Sequence, residues 1–138
     1  MRILRIIFYV FLLLLVTGCK EEFELVFNEE EMNKISENFA LKLVDGDYEY
    51  VYENIAELSR KSTSFENMEI YFNKTFLNHG NFEYVISNVF VESRNPLSKV
   101  PEGTSTVKLK YEKGIITCVL KYDESKILGS ILLTFELR

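Results

Sequence analysis

Histidine and cysteine, the side chains most typical of catalytic and metal sites, are scarce in this chain of 138 residues, with one histidine and two cysteines beside 21 acidic residues. His79 is the only histidine, and its position at a predicted helix end, with no acid or nucleophile beside it, favours helix capping over catalysis. Asp45-Gly46-Asp47 offers two carboxylates, whereas a calcium loop spreads several more oxygen ligands over about twelve residues. Cys118 lies on the predicted inward face of a strand, where a thiol packs as a small hydrophobe. We therefore predict no catalytic residue, metal site or cofactor among these groups.

Cys19 stands in a different setting from the other reactive side chains. An unbroken apolar run, Ile6 to Val16, follows two arginines and precedes this cysteine. Because a helix needs about 20 apolar residues to cross the hydrocarbon core, the run is too short for a membrane span. It fits the apolar segment and small-residue cleavage site of a secretory signal. Val16-Thr17-Gly18-Cys19 resembles the lipobox of bacterial lipoproteins.

The lipobox resemblance implies cleavage between Gly18 and Cys19 and a diacylglycerol joined to the Cys19 sulfur. Two acyl chains anchor a protein stably where a single chain does not. The protein would then sit outside the cytoplasm, in the outer membrane or on the outer face of the cytoplasmic membrane. We expect a signal peptide at 1–18, a lipidated tether at 19–28 and a single domain at 29–138. The alternative is an ordinary secretory signal cut nearby, with the cysteine there by chance.

Composition limits the partners of the mature chain. Without Arg2 and Arg5, 14 of the 16 basic residues remain against 21 acidic ones, which leaves a net charge near −7. This charge disfavours nucleic acid and anionic lipid headgroups as direct ligands, since both need a basic patch. With Cys19 lipidated, Cys118 would be the only thiol, so no intramolecular disulfide could form. One cysteine and one histidine do not supply a zinc site.

Periodicity predicts three helices before residue 80. The first begins after Asn28, the second after Asp47, and the third after Thr63, which has the capping-box spacing to Glu66. Gly80 ends the third helix. The first is the clearest, because its apolar residues recur at helical steps: Met32, Ile35, Phe39, Leu43.

After Gly80 the apolar period changes to two, which indicates strands. Phe82 to Ser93 is apolar on both faces, so its register stays open. A two-residue turn at Lys113-Gly114 would set apolar residues against each other. The pairs in that register are Tyr111 with Ile116, Leu109 with Cys118 and Val107 with Leu120.

A second two-residue turn at Asp123-Glu124 predicts the pairing of the last strand. In that register an outer sheet face carries apolar residues where water is expected: Ile115, Val119, Leu128 and Leu132. This patch is a candidate contact surface. The alternative is a set of scattered exposed aliphatics, which are common on protein surfaces.

Three helices packed on one face of a curved four-stranded antiparallel sheet make an α+β domain. The order resembles the cone-shaped, cystatin-like domains of the nuclear-transport-factor-two-like group, and small bacterial lipoproteins of unknown function within it. The likeness rests on the long first helix, Asp45-Gly46-Asp47-Tyr48, Ser59 to Ser64, the Phe65–Leu77 helix, His79-Gly80 and the strands. It implies a cavity at the wide end of the cone and dimerisation through the outer sheet face. Enzymes of the group place Asp, His or Tyr in the cavity, whereas the core positions here are almost wholly aliphatic or Phe, with Tyr the only ionisable type that recurs on them.

These observations predict a membrane-anchored, non-catalytic binding module of the cell envelope. Its partner would be an envelope protein or a second copy on the outer sheet face, or a small apolar ligand in the cone. One alternative is an inhibitor or immunity lipoprotein. The other is an isomerase or dehydratase of the same fold.

Overall fold

The computed structural model describes residues 24–137 and contains four helices followed by four strands. Gly18 and Cys19, the predicted cleavage and lipid sites, lie outside the described residues. The helices are α1 Glu29–Val44, α2 Tyr48–Asn54, α3 Glu57–Ser62 and α4 Phe65–Leu77. The strands are β1 Phe82–Arg94, β2 Pro101–Tyr111, β3 Gly114–Tyr122 and β4 Leu128–Leu137.

The α+β class with a curved, four-stranded antiparallel sheet is confirmed, and the strands lie in the order β1-β2-β3-β4. The prediction of three helices is wrong, because the described chain contains four. The additional helix, α3, has no buried residue and therefore lacked the apolar periodicity by which the others were found.

Local capping signals placed two of the helix starts correctly. The Asn28 side chain accepts a hydrogen bond from the Glu31 backbone N–H at 2.9 Å and caps α1. Asp47 caps α2 by accepting from the Tyr50 N–H at 3.4 Å. The predicted cap of the last helix, Thr63, is off by one residue, since Ser64 accepts from the Asn67 N–H there.

The hairpin between β2 and β3 differs from the predicted register by two residues. Tyr111 pairs with Gly114, Leu109 with Ile116 and Val107 with Cys118, so the turn is Glu112-Lys113. Both turn amides donate to the segment before β1: Glu112 to the Asn81 carbonyl and Lys113 to the His79 carbonyl. A shift of two residues keeps every side chain on its face, so the apolar pattern could not distinguish the two registers.

The connection between β3 and β4 is also longer than predicted. Asp123 organises a five-residue loop by accepting hydrogen bonds from the backbone N–H groups of Ser125 and Ile127, at 2.9 and 3.0 Å. A register irregularity follows at Lys121 and Tyr122, so that Tyr122 pairs with Leu128. The irregularity turns Leu128 inward, where it is 1% exposed. The prediction that Leu128 lies on the outer sheet face is therefore wrong.

The inner face of the sheet forms the core together with α1, which packs across β1 and β2. The central strands bury their inward side chains completely: Val107, Leu109, Ile116, Cys118 and Leu120 are each 0% exposed. Aromatic rings extend this core toward α4, where Phe76 packs against Tyr111 with ring centroids 6.0 Å apart. The burial of these side chains supplies the hydrophobic stabilisation of the domain.

The segment before α1 is attached to β1. The Glu92 carboxylate accepts hydrogen bonds from the Val26 and Phe27 backbone N–H groups, each at 3.1 Å from Oε2. The Phe27 ring packs on Phe90 with centroids 5.4 Å apart, and Phe27 is 5% exposed. Among residues 24–137, no helix is both long and apolar enough to span a bilayer.

Candidate functional site

The outer face of the sheet carries a row of aliphatic and threonine side chains that crosses all four strands. Val89 pairs with Thr106, Thr106 with Val119, and Val119 with Leu132. Adjacent strands lie about 4.8 Å apart, so the row extends over about 14 Å. Val89 and Leu132 are 53% and 57% exposed, while Val119 between them is half-buried. No described helix covers this row.

Charged side chains surround the aliphatic row. Lys108 and Lys121 lie on the outer face in the rows on either side and are exposed. Lys110 lies one row further and is paired with Glu83 at 3.6 Å. The face therefore has an apolar centre and a charged border, which is the usual layout of a protein–protein contact surface.

Three of the four predicted contact residues share this face. Val119 and Leu132 are cross-strand neighbours, and Ile115 lies four residues before Val119 on β3 and is half-buried. Leu128 is in the core, as described above. We use the name outer row for Val89, Thr106, Val119 and Leu132.

Sequence reasoning missed the β1 members of this face. Val89 and Val91 are 53% and 56% exposed and lie on the outer side, while Phe90 between them is buried. Two register irregularities in the β1–β2 pairing interrupt the alternation, at Phe82/Tyr84 and Val85/Ser87. These irregularities explain why β1 looks apolar on both faces in the sequence. Val89 can be assigned to the outer side because it pairs with Thr106, which in turn pairs with Val119.

The interior between α1 and the sheet contains three buried hydroxyl groups. Ser36 on α1 lies 2.5 Å from the Ser105 hydroxyl and 2.9 Å from the Tyr122 hydroxyl. Burial raises the pKa of Tyr122 to about 12, although the hydrogen bond to Ser36 acts in the opposite direction. The three groups satisfy one another, so they join the helix to the sheet and present no group to a substrate.

Two clefts lie between α4 and the edge strand β4. The first, of about 380 Å³, is lined by apolar side chains of α4, among them Met68 and Phe72, and by Ile131 of β4. The second, of about 510 Å³, lies beside His79 and Phe135. Tyr71 lines both clefts. Volumes of this size suit small ligands.

The reactive residues named in the sequence analysis have structural roles: His79 caps a helix and Cys118 packs in the core. His79 is 4% exposed, and its Nδ1 donates to the Thr75 carbonyl at 2.6 Å, which satisfies a carbonyl of the last turn of α4. This bond agrees with the predicted capping role. Its Nε2 is buried without a hydrogen-bond partner among the described residues. Cys118 is fully buried, and burial raises the pKa of its thiol to about 12.

The Asp45-Gly46-Asp47 segment ends one helix and starts the next, as predicted. Gly46 has φ +75°, and Asp47 pairs with Lys42 at 2.7 Å while capping α2. The lysine is the main reason that the pKa of Asp47 lies below its usual range. Within residues 24–137 there is no group of three or more His, Cys, Asp or Glu side chains placed to hold a metal ion.

Comparisons with known proteins report on the fold alone. No model of a known protein family matches the chain, and no curated protein matches it. An NMR structure of a protein from Ruminococcus gnavus ATCC 29149 superposes with a TM-score of 0.65 and 20% sequence identity, covering 81% of this chain and 96% of that chain. At this identity the likeness carries no statement about activity. The chain is thus similar in fold to that protein.

Proposed function

We propose that the protein is a lipid-anchored, non-catalytic interaction module of the cell envelope, which binds a protein partner through the outer row and the side chains around it. The exposed aliphatic row, bordered by lysines on an uncovered sheet face, is the observation that carries this proposal. Val89, Val119 and Leu132 would form its apolar centre. The proposed partner is an envelope protein, and a second copy of this chain is the other partner that cross-linking would reveal.

The lipid anchor is supported by the sequence Val16-Thr17-Gly18-Cys19 and by the path of the first described residues. Four residues separate Cys19 from Glu24, and the backbone that follows is bonded to Glu92 of β1. An extended chain covers at most about 3.6 Å per residue, so Glu24 would stay within about 18 Å of the anchored cysteine. A diacylglycerol on Cys19 would therefore hold the domain close to the bilayer.

The nuclear-transport-factor-two-like assignment is part of the proposal. The sheet packed on a long first helix supports it, and the use of the outer face for contacts agrees with that group. The inner face of the sheet favours binding over isomerase or dehydratase chemistry, because its central side chains, among them Val107, Leu109 and Ile116, are apolar and fully buried. If the partner is an attacking protein, the module is an inhibitor or immunity lipoprotein.

Mass spectrometry of the protein isolated from membranes tests the anchor. We expect Cys19 as the first residue, carrying a diacylglycerol. An unmodified cysteine or an uncleaved leader would refute the anchored part of the proposal.

Chemical cross-linking in intact cells tests the contact surface. We expect a discrete partner that is lost with Val119→Glu, because the carboxylate would be desolvated in the contact. Leu77→Glu is the matched control, since Leu77 is 77% exposed on α4 and away from the sheet face. Recovery of the same partner from both variants would exclude the outer row.

A small apolar ligand is the second candidate, favoured by the cleft of about 380 Å³ between α4 and β4. Ile131 lines this cleft, while its neighbour Leu132 points to the outer face. Ile131→Trp should fill the cleft and abolish binding of an apolar fluorescent dye. Leu132→Trp should leave dye binding unchanged, and equal effects of the two variants would argue against the cleft as a ligand site.

A further inference from the structure

An exposed apolar patch lies beside the segment through which the chain would reach its lipid anchor. It consists of Leu25 and Val26 before α1 and of Leu97 and Val100 in the loop between β1 and β2. Leu97 is 96% exposed and Leu25 is 73% exposed. We call these four residues the tether patch.

The Arg94 guanidinium group holds the two halves of the tether patch together. Its Nη2 donates to the Glu24 carbonyl at 3.0 Å, and its Nη1 donates to the Lys99 carbonyl at 3.4 Å. Glu92 fixes the same segment by accepting from the Val26 N–H. Arg94 of β1 is therefore bonded to both the loop and the chain leading to the anchor, while Glu92 is bonded to that chain.

The loop that carries Leu97 satisfies its own backbone donors. The Asn95 N–H donates to the Val100 carbonyl, and the Lys99 N–H donates to the Asn95 carbonyl, at 3.0 and 2.9 Å. The Asn95 side-chain oxygen accepts from the Leu97 and Ser98 N–H groups, at 3.0 and 3.1 Å. The Val100 N–H donates to the Ser98 hydroxyl at 3.4 Å.

Pro96 has no N–H, so each backbone N–H of residues 95–100 has an acceptor within the loop. Unsatisfied donors are costly where water is scarce, so this internal bonding lowers the cost of bringing the loop to the apolar boundary of a bilayer. A loop that only faces water has no need of such bonding, since water would satisfy the same donors. The loop therefore presents Leu97 on a backbone whose N–H groups do not depend on water for hydrogen bonding.

We infer that the tether patch is a second membrane contact, in which Leu97 and its neighbours enter the apolar boundary of the lipid surface. The inference rests on the proposed lipid anchor, because the short connection from Cys19 to Glu24 brings this corner of the domain to the bilayer. The contact is apolar and does not depend on anionic headgroups, in keeping with the acidic chain. The Lys99 side chain, which is exposed, can extend toward the headgroups.

The same placement predicts how the domain is oriented. Exposed carboxylates at this end of the sheet lie beside the patch, in Glu24 and Glu102, and farther from it at the β3–β4 loop and the start of α1, in Asp123, Glu124, Glu29 and Glu30. An edge-on approach through β1 buries the tether patch while Glu24 and Glu102 lie at the headgroup level and the carboxylates of the β3–β4 loop and of α1 stay in water. The outer row then stands roughly perpendicular to the membrane, where a second envelope protein can reach it.

Tryptophan fluorescence of the lipidated protein in phosphatidylcholine vesicles tests the inference, because the natural chain contains no tryptophan. We would place single probes with Leu97→Trp and with the control Leu77→Trp, which lies near the opposite end of β1. Both leucines are more than three-quarters exposed, so neither substitution disturbs the core, and thermal unfolding checks this. Mass spectrometry first confirms the diacylglycerol on Cys19.

We expect the emission of L97W to shift to shorter wavelength in vesicles and to be quenched several-fold more strongly than that of L77W by brominated acyl chains. Equal quenching of the two probes, or a response of L97W only after an envelope protein is added, would overturn the lipid contact and leave the anchor intact. A protein without the diacylglycerol would overturn the proposed anchoring and this inference with it.

Discussion

Side chains alternate between the two faces of β2 and β3, and the two faces differ in how deeply these side chains are buried. On the inner face, Leu109, Ile116 and Cys118 are fully buried. On the outer face, the same strands carry threonines and lysines together with Ile115 and Val119, none of them fully buried. Threonine is β-branched and favours strands while tolerating water, so the outer face needs no apolar residues to remain folded. The apolar residues found there are thus the ones to which we assign the proposed contact.

The largest expected contrast lies between two adjacent leucines of β4. Leu133 is 5% exposed on the inner face, and Leu132 is 57% exposed on the outer face. Leu133→Ala should lower the free energy of unfolding by about 2–5 kcal/mol, because it leaves a cavity. Leu132→Ala should change it by less than about 1 kcal/mol. Urea unfolding measures both, and equal losses would contradict the division between the faces.

Alkaline pH should destabilise the inner face. Burial raises the pKa of the Cys118 thiol from 9.0 to about 12 and that of the Tyr122 hydroxyl from 10.0 to about 12. The unfolded chain loses these protons first, so stability is retained below pH 9 and falls as the pH rises from 9 through 12. The combined loss is on the order of a few kcal/mol.

Urea midpoints measured from pH 9 upward would record this loss. Cys118→Val removes the thiol and should reduce the decrease of the urea midpoint with rising pH. A midpoint that stays constant to pH 12 in the natural chain would mean that neither group is buried as described.

The buried hydroxyl groups should give an intermediate effect. Ser36→Ala leaves Ser105 and Tyr122 without their common partner in the core and should cost about 1–3 kcal/mol. Thr134→Ala, on the exposed side of β4, is the control and should stay within about 0.5 kcal/mol. Thermal unfolding distinguishes them, and a neutral Ser36→Ala would mean that the three hydroxyls do not stabilise the core.

The smallest effect on stability is expected at the centre of the outer row. Val119→Thr keeps the branched shape and should change the free energy of unfolding by less than about 0.5 kcal/mol. The same substitution should weaken cross-linking to the partner, since it adds a hydroxyl group to the apolar contact. If stability falls while cross-linking is unchanged, Val119 belongs to the fold and not to recognition.

The sequence predicted what local spacing determines. Asn28 and Glu31 stand three residues apart, so the start of α1 was visible without any tertiary information. The inward positions of β2 and β3 were also correct, because a shift of two residues preserves the faces. The register itself was predicted incorrectly, because the turn at Glu112 is fixed by backbone hydrogen bonds to Asn81 and His79, on another part of the chain.

The errors in the candidate site have the same physical origin. Leu128 was assigned to the outer face because the hydrogen bonds of the Asp123 loop and the irregularity at Tyr122 cannot be read from alternation. The partnership of Ser36 with Ser105 and Tyr122 joins residues 69 and 86 positions apart. Such contacts depend on the folded arrangement of α1 against the sheet.

Lysine footprinting on the natural chain tests the central claim most directly, namely that the outer sheet face is covered by a partner in the envelope. Lys108 and Lys121 border the outer row, while Lys34 and Lys61 lie on helices with side chains 76% and 70% exposed. Acetylation should be slower at Lys108 and Lys121 in intact cells than in the purified protein, and unchanged at Lys34 and Lys61. Equal reactivity of all four lysines in both preparations would contradict the account.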